Sequence, residues 1–385
     1  MKTKKIAVLV SGGVDSTVAL RLLKDQGHDV TAFYLKIWLE DELSYLGDSC
    51  PWQEDLSFVQ AVCEQAGVPL EIRSLQREYW DYVVTYTIAE IKAGRTPNPD
   101  ILCNKTIKFG FFLDYLDKSF QKVATGHYAQ IESYFAKPFD KGSGVNALKI
   151  GSGACPEQSE GKDGENCIYR LKMAPDAIKD QTYFLSHLSQ EQLSRALFPI
   201  GHLSKPQVRE LAQTYDVANK ERKDSQGICF LGKLKFSDFI KHYLGEKPGD
   251  MLEFETGKKL GTHKGYWFHT IGQRQGSGLS GGPWYVVAKD IQKNLVYFSR
   301  SYYTPDKIRN TFTVEQCNWT TGTPPDKKEL RVKIRHGKNL YDCQLSLTDN
   351  TTGRVTLAQD DQGLAAGQFA VFYDGEYCLG AGIIS

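Results

Sequence analysis

The apolar run Ile6-Ala7-Val8-Leu9-Val10 ends on Ser11-Gly12-Gly13-Val14-Asp15-Ser16, and this junction constrains the fold more than any other stretch of the chain. The run reads as a buried strand, and Val14, Val18, Leu22 and Leu23 read as the apolar face of a helix directly after it. A strand that feeds a helix through paired glycines makes an anion cradle. The backbone turns tightly, while the loop and the first helical turn offer unpaired N–H groups and the positive end of the dipole. Ser11, Ser16 and Thr17 supply hydroxyl donors, and Asp15 can cap the helix or face a magnesium ion. The Gly-x-x-x-x-Gly-Lys-Ser/Thr spacing is absent, which argues against a β/γ-phosphate grip of that kind.

Strand-like and helix-like segments alternate beyond the loop. Residues 6–10, 30–35, 70–73 and 123–125 read as strands, and 14–26, 55–66, 78–93 and 107–117 as helices. This pattern predicts a doubly wound α/β domain with a parallel sheet, which binds ligands beyond the carboxyl ends of its strands. Residues 137–166 are rich in Gly, Ser, Glu and Lys and read as a flexible surface insertion. Helical spacing resumes over 181–188, 190–196 and 206–215, and beyond Glu246 short strands punctuated by Gly and Pro run to the end. The expected division is an α/β nucleotide domain over 1–205, a small central linking domain over 206–280 and an all-β barrel over 281–385. Gly276-Ser-Gly278-Leu-Ser-Gly281 formally matches Gly-x-Gly-x-x-Gly, but a strand-like run follows it, so it reads as a loop.

The 385 residues suffice for two or three domains. No secretory leader or membrane-length apolar run occurs, so a cytoplasmic protein with no membrane partner is expected. The nine cysteines form no Cys-x-x-Cys pair, which points to individual thiols as the reactive groups. Cys155 and Cys167, near the ends of the insertion, could in principle pair, but two stray surface thiols in a reducing compartment are expected. With 47 Lys and Arg against 46 Asp and Glu, the formal charge is +1, so any nucleic-acid site must come from local patches.

Two thiols stand out. Cys103 follows Asn98-Pro99-Asp100-Ile101-Leu102 and precedes the helix expected from Lys105, where the dipole and Lys105 favour thiolate. Cys229 lies in Asp224-Ser-Gln-Gly-Ile-Cys-Phe230, after the charged run 220–223. In the last domain Arg331, Lys333 and Arg335 alternate with apolar residues, which puts three cations on one strand face able to track phosphates.

The six motifs SGGVDS, GRTPNPDILCN, ATGHY, KDQTYFL, DSQGICFL and TIGQRQG occur in that order. The first resembles the loop of the ATP pyrophosphatase superfamily. Together they resemble the tRNA-specific 2-thiouridylase (MnmA/TrmU) family over essentially the whole chain outside the insertion. The resemblance implies that ATP, with Mg2+, adenylates the C2 oxygen of the wobble uridine of tRNA, after which sulfur replaces that oxygen and AMP and pyrophosphate leave. By the family pattern Cys229 carries sulfur as a persulfide and Cys103 is the nucleophile that releases it, closing a Cys103–Cys229 disulfide. A persulfide donor and a thiol reductant are therefore expected partners.

The same match assigns Leu9, Val10, Ser11, Gly12, Gly13, Val14, Asp15, Ser16, Leu35 and Gly126 to ATP. Asn98, Pro99 and Asp100 fall to the target base, with Asp100 as candidate acid or base. His127, Lys179, Asp180, Gln181, Arg335, His336 and Gln368 fall to tRNA. Taken without the family, Leu35 reads as core packing and Asp180 as a helix cap. The alternatives are an amide-forming synthetase on the same loop, which needs no cysteine pair, and an ATP-responsive tRNA-binding protein without catalysis.

Overall fold

The computed structural model describes residues 3–37, 51–136, 166–224, 235–301, 309–361 and 363–385. Cys229, Cys155 and residues 137–165 of the insertion lie outside the described residues.

Strands β1 (Lys5–Leu9), β2 (Asp29–Lys36), β3 (Leu70–Ser74), β4 (Lys122–Ala124) and β7 (Ala196–Leu197) form a five-stranded parallel sheet in the order β3-β2-β1-β4-β7. The apolar run of β1 is continuous because helices cover both its faces. Ile6 and Val8 pack with Leu20 and Leu23 of α1 (Val14–Asp25) and with Val59 and Cys63 of α2 (Pro51–Ala66). Ala7 and Leu9 pack on the other side with Val83, Ile107 and Phe112. The order reverses at β1, which has β2 on one side and β4 on the other, and the loops after β1 and β4 open the crevice where doubly wound sheets bind ligands.

One helix begins earlier than its periodicity indicates. Asn98 Oδ1 accepts a bond from Ile101 N at 3.3 Å and Pro99 sits at the start, so the helical run opens at Pro99 rather than near Lys105. It passes from Pro99–Leu102 into a π-helical segment, Cys103–Phe111, and ends with Phe112–Tyr115.

A four-stranded sheet follows, with β8 (Gly249–Glu253), β9 (Lys259–His263), β10 (Tyr285–Asp290) and β11 (Leu295–Ser299) in the order β10-β11-β8-β9. It takes in residues on both sides of 280. Six further strands close into an antiparallel barrel: β12 (Thr311–Trp319), β13 (Glu329–Lys333), β14 (Tyr341–Leu347), β15 (Gly353–Leu357), β16 (Phe369–Asp374) and β17 (Tyr377–Ile384). Pairing of β12 with both β15 and β17 completes the closure. The hairpin β5 (Ala129–Ala136) and β6 (Asn166–Met173), which brackets the insertion, joins this sheet through Tyr377↔Lys172 and Cys378↔Leu171. The barrel is thereby bonded to the N-terminal domain.

Two expectations are corrected. The alternation at 331–335 is present, with Val332 and Ile334 in the barrel core, but the opposite face is not a solvated stripe. Lys333 is buried against Asp180 of the N-terminal domain, Arg331 donates to the Gly375 carbonyl, and Arg335 lies past the strand end. Cys167 is disulfide-bonded rather than a free thiol, whereas Cys63, Cys317, Cys343 and Cys378 are free thiols.

Candidate active site

Ser11 and Gly12 lead into α1, whose N-cap is Gly13 in extended conformation with no side-chain cap bond. Gly12 has φ +77°, and a Cβ there would lie 2.7 Å from an Arg222 guanidinium nitrogen and 2.8 Å from the Asp55 carbonyl. Glycine is required on both counts. The hydroxyls expected to meet a ligand instead tighten the loop: Ser16 and Thr17 both donate to the Gly13 carbonyl, at 3.0 and 3.1 Å, and Ser16 Oγ accepts from Ser11 N at 3.2 Å. The backbone N–H groups of the first helical turn are left to an anion.

Gly126 follows β4 and presses on this turn. A Cβ at Gly126 would lie 2.6 Å from Ser16 N and 2.8 Å from the Asp15 carbonyl carbon. The loops assigned to ATP thus share one crevice, beside Leu35 near the end of β2. Asp15 does not cap the helix. Its Oδ1 accepts from Tyr128 Oη at 2.8 Å and from Lys205 Nζ at 2.7 Å, while its Oδ2 takes no hydrogen bond among the described residues. One free carboxylate oxygen beside an anion cradle fits a magnesium ion that arrives on phosphates.

Sequence reasoning missed the clamp around this loop. Asn219 Nδ2 and an Arg222 guanidinium N–H both donate to the Gly12 carbonyl, at 2.8 and 2.9 Å, and Arg222 also pairs with Asp55. That carbonyl is held where it cannot meet a phosphate. Lys205 bridges from Asp15 to Asp224 at 2.7 Å, and Asp224 also accepts from Lys179 and Arg209, each at 2.6 Å. Burial works against the Asp224 anion, but the bonds from Lys179 and Lys205 outweigh it and hold the carboxyl well below the usual carboxylate range. The charged run 220–223, with Asp224 at the start of the Cys229 motif, is therefore bolted to the nucleotide loop. Its only sequence signal was the density of charge.

Cys103 is buried, at 1% exposure, in the core that also holds Leu9 and Ala7 of β1. It opens the π-helical segment, whose Lys105 and Phe109 carbonyls are both capped at 2.8 Å by Gln192 Nε2. Burial lowers the ammonium pKa of Lys105. His127 packs edge-on to Phe198, 6.0 Å between centroids, with Nδ1 2.7 Å from Thr125 Oγ1. Burial, assisted by the Lys108 charge, holds this imidazole far below its ordinary value and therefore neutral.

The Asn98-Pro99-Asp100 segment meets the barrel. Gln368 Nε2 donates to the Thr96 and Pro97 carbonyls at 3.2 and 3.4 Å, and Gln368 Oε1 accepts from Tyr183 Oη at 3.4 Å. The His336 ring lies 4.5 Å from Phe184 and 6.0 Å from Tyr183. Arg335 donates to Asp361 at 2.6 Å with its side chain 40% exposed. Of the Lys179-Asp180-Gln181 triplet, Lys179 is taken by Asp224 and Gln181 Oε1 accepts from Tyr128 N. Asp180 accepts from Lys333, Thr182 Oγ1 and Ala174 N instead of capping the following helix. The structure thus gathers Asn98, Asp100, His336 and Gln368 at one junction, with the nucleotide crevice, the triplet and Cys103 in the same N-terminal domain.

Among the described residues no cluster of His, Cys, Asp and Glu could hold a metal by itself, and no helix is long and apolar enough to cross a membrane.

Residues 4–233 match the family described as the tRNA methyl transferase HUP domain. Residues 237–300 match the tRNA methyl transferase PRC-barrel domain, and 309–384 the aminomethyltransferase beta-barrel domain. The chain is 42% identical over 386 aligned positions to a tRNA-specific 2-thiouridylase MnmA of Parabacteroides distasonis, covering 99% of this chain and 98% of that one. It is 44% identical to MnmA 2 of Bacteroides fragilis, over 98% of this chain and 99% of the relative. A Porphyromonas gingivalis MnmA is 39% identical over 99% of both. With both terminal domains, the central sheet and the order of the motifs accounted for over nearly its whole length, the chain belongs to the tRNA-specific 2-thiouridylase MnmA family.

Proposed function

We propose that the protein is an ATP-dependent tRNA sulfurtransferase that converts the wobble uridine to 2-thiouridine. The observation that carries this reading is near-full-length similarity to relatives bearing that name, in a chain that keeps both Cys103 and Cys229. The geometry supports it. A carbonyl oxygen leaves poorly until it is phosphorylated, and the crevice formed by residues 9–16 and Gly126 offers the backbone N–H groups that would hold the phosphates of ATP. Mg2+ would accompany ATP, with Asp15 Oδ2 as the oxygen this chain offers; the ion would neutralise phosphate charge.

The C2 oxygen of the uridine attacks the α-phosphorus and pyrophosphate leaves. Asn98 and Asp100 face the base at the junction with His336 and Gln368, and Asp100 serves proton transfer there. Cys229 brings sulfur as a persulfide taken from a donor protein. The Cys103 thiolate attacks the inner sulfur, the Cys103–Cys229 disulfide forms, and the released hydrosulfide displaces AMP from C2. A dithiol reductant then restores both cysteines. Of the other residues assigned to tRNA, Arg335 offers an exposed guanidinium, while His127, Lys179, Asp180 and Gln181 act by holding the surrounding segments, Asp180 by fixing Lys333 in the barrel wall.

The test is mass spectrometry of nucleosides from unmodified tRNA incubated with protein, ATP, magnesium and a persulfide donor. Wild type yields 2-thiouridine at the wobble position, and Cys103→Ser and Cys229→Ser do not. Thiolation that survives either substitution defeats the thiol assignment; an adenylated product on another acceptor defeats the substrate.

A further inference from the structure

A cleft of about 120 Å³ lies where the four-stranded sheet meets the loop before the target-base segment. Arg95, Thr96, Pro97 and Pro99 line it together with Trp267, His269, Thr270 and Lys289, and Ile91 and Phe236 add apolar surface. Thr270 opens the TIGQRQG motif, to which the reading above assigns nothing.

The floor is chemically unfinished. His269 is 8% exposed and its Nδ1 is buried without a hydrogen-bond partner among the described residues. Lys289 donates to the His269 carbonyl at 3.1 Å, and no carboxylate pairs with it among the described residues. A buried polar group without a partner is costly, and a desolvated ammonium without an anion more so, so such a pair persists where a ligand completes it. Arg95 at the rim is already paired with Glu90 and sets no demand of its own. One ammonium in this cleft, beside a buried imidazole nitrogen that has no partner among the described residues, suits a group that is anionic, compact and rich in acceptor oxygens.

We propose that this cleft binds a phosphodiester of the substrate RNA next to the nucleotide presented to Asn98 and Asp100. The location selects the ligand. Thr96, Pro97 and Pro99 line the cleft and flank Asn98, so a strand whose base sits at Asn98 carries its neighbouring phosphate past Lys289 and His269. Phosphate contacts of this kind fix register and leave the base to be read elsewhere. The inference rests on the proposed tRNA substrate.

Binding of unmodified tRNA, measured by filter retention over a range of salt concentrations, tests it with wild type, Lys289→Gln and Lys289→Arg. Lys289→Gln is expected to weaken binding about tenfold and to lower the slope of log affinity against log salt by about one, with Lys289→Arg restoring the slope. An anticodon stem-loop RNA with one neutral methylphosphonate at a time locates the contact: a linkage adjoining the target nucleotide weakens wild-type binding and has no further effect in Lys289→Gln. Equal salt slopes for wild type and Lys289→Gln would overturn the proposal, as would methylphosphonates that act identically on both. Saturation of wild type by inorganic phosphate alone, with no methylphosphonate effect, would assign the cleft to a free anion and overturn it too. Failure of wild type to bind tRNA at all would remove the proposed function and this inference together, and so is distinct from a failure confined to Lys289.

Discussion

Lys333, the last residue of barrel strand β13, donates to Asp180 Oδ2 at 3.0 Å with neither side chain more than 3% exposed. The two lie 153 positions apart, and their bond ties the barrel to the segment between β6 and the helix Thr182–Leu185. Thr182 Oγ1 and Ala174 N supply the further bonds that a buried carboxylate needs.

Breaking this pair from one side leaves a buried charge without its partner. Lys333→Met should destabilise the protein by roughly 3–5 kcal/mol, and the double variant Lys333→Met/Asp180→Asn should recover most of that loss. Denaturant unfolding checks it; a double variant no more stable than the single would show the charge is not the source.

Asp224 sets an acid limit. Its carboxyl is depressed in the fold, so the stability it contributes is present above the unfolded carboxylate value near pH ~3.9 and is lost as pH falls below it toward the folded value. Asp224→Asn should lower stability at neutral pH and flatten its decline in acid. Thermal midpoints taken from pH 7 to pH 3 give the answer, and parallel curves for the two proteins would count against the clamp.

In Lys289 the charged form is the destabilising one. Burial pulls its ammonium down to about 8, so between there and the unfolded value near ~10.4 the unfolded chain binds more protons and folding stability rises with pH. Lys289→Met should be more stable than wild type below pH 8 in the absence of RNA and should lose that rise. The same variant should bind tRNA worse, so a stability gain with unchanged tRNA affinity contradicts the cleft assignment.

At Gly126 an added methyl has no room, because Ser16 N and the Asp15 backbone are the atoms it meets. Gly126→Ala should raise the KM for ATP at least tenfold, by displacing the helix start that would cradle phosphate. Steady-state pyrophosphate release in the presence of tRNA reads this directly, and an unchanged KM would move the nucleotide elsewhere.

Cys103 is a core residue in the free protein, so alkylation by iodoacetamide should be far slower than for an exposed thiol. Rapid labelling at that position, followed by peptide mass spectrometry, would be inconsistent with the packing described.

Much of the N-terminal domain was legible because it is written in local pattern. The β1 run, the paired glycines and the helical spacing of Val14, Val18 and Leu22 each constrain neighbours in the chain, and β1, the loop and α1 follow from them. The start at Pro99 was missed although its signal was local too: an Asn cap and a Pro at the first helical position. The π-helical register beyond it was not local, because its carbonyls at Lys105 and Phe109 are satisfied by Gln192, more than eighty residues away.

The alternation of strand and helix, the cradle after β1 and the order of motifs that marks the family are all written in the chain. Those properties depend on residues close in the chain or on their succession. Which charges are spent internally follows from how distant segments meet in the fold. Lys333 reads as a cation able to track phosphates and is buried against Asp180; Lys179, assigned to tRNA, and Lys205, singled out by nothing local, converge on Asp224; Lys289 has nothing local to distinguish it and stands without a carboxylate partner among the described residues. Charge pairing acts through space over a few ångströms, and no periodicity along the chain encodes which distant segment will arrive there.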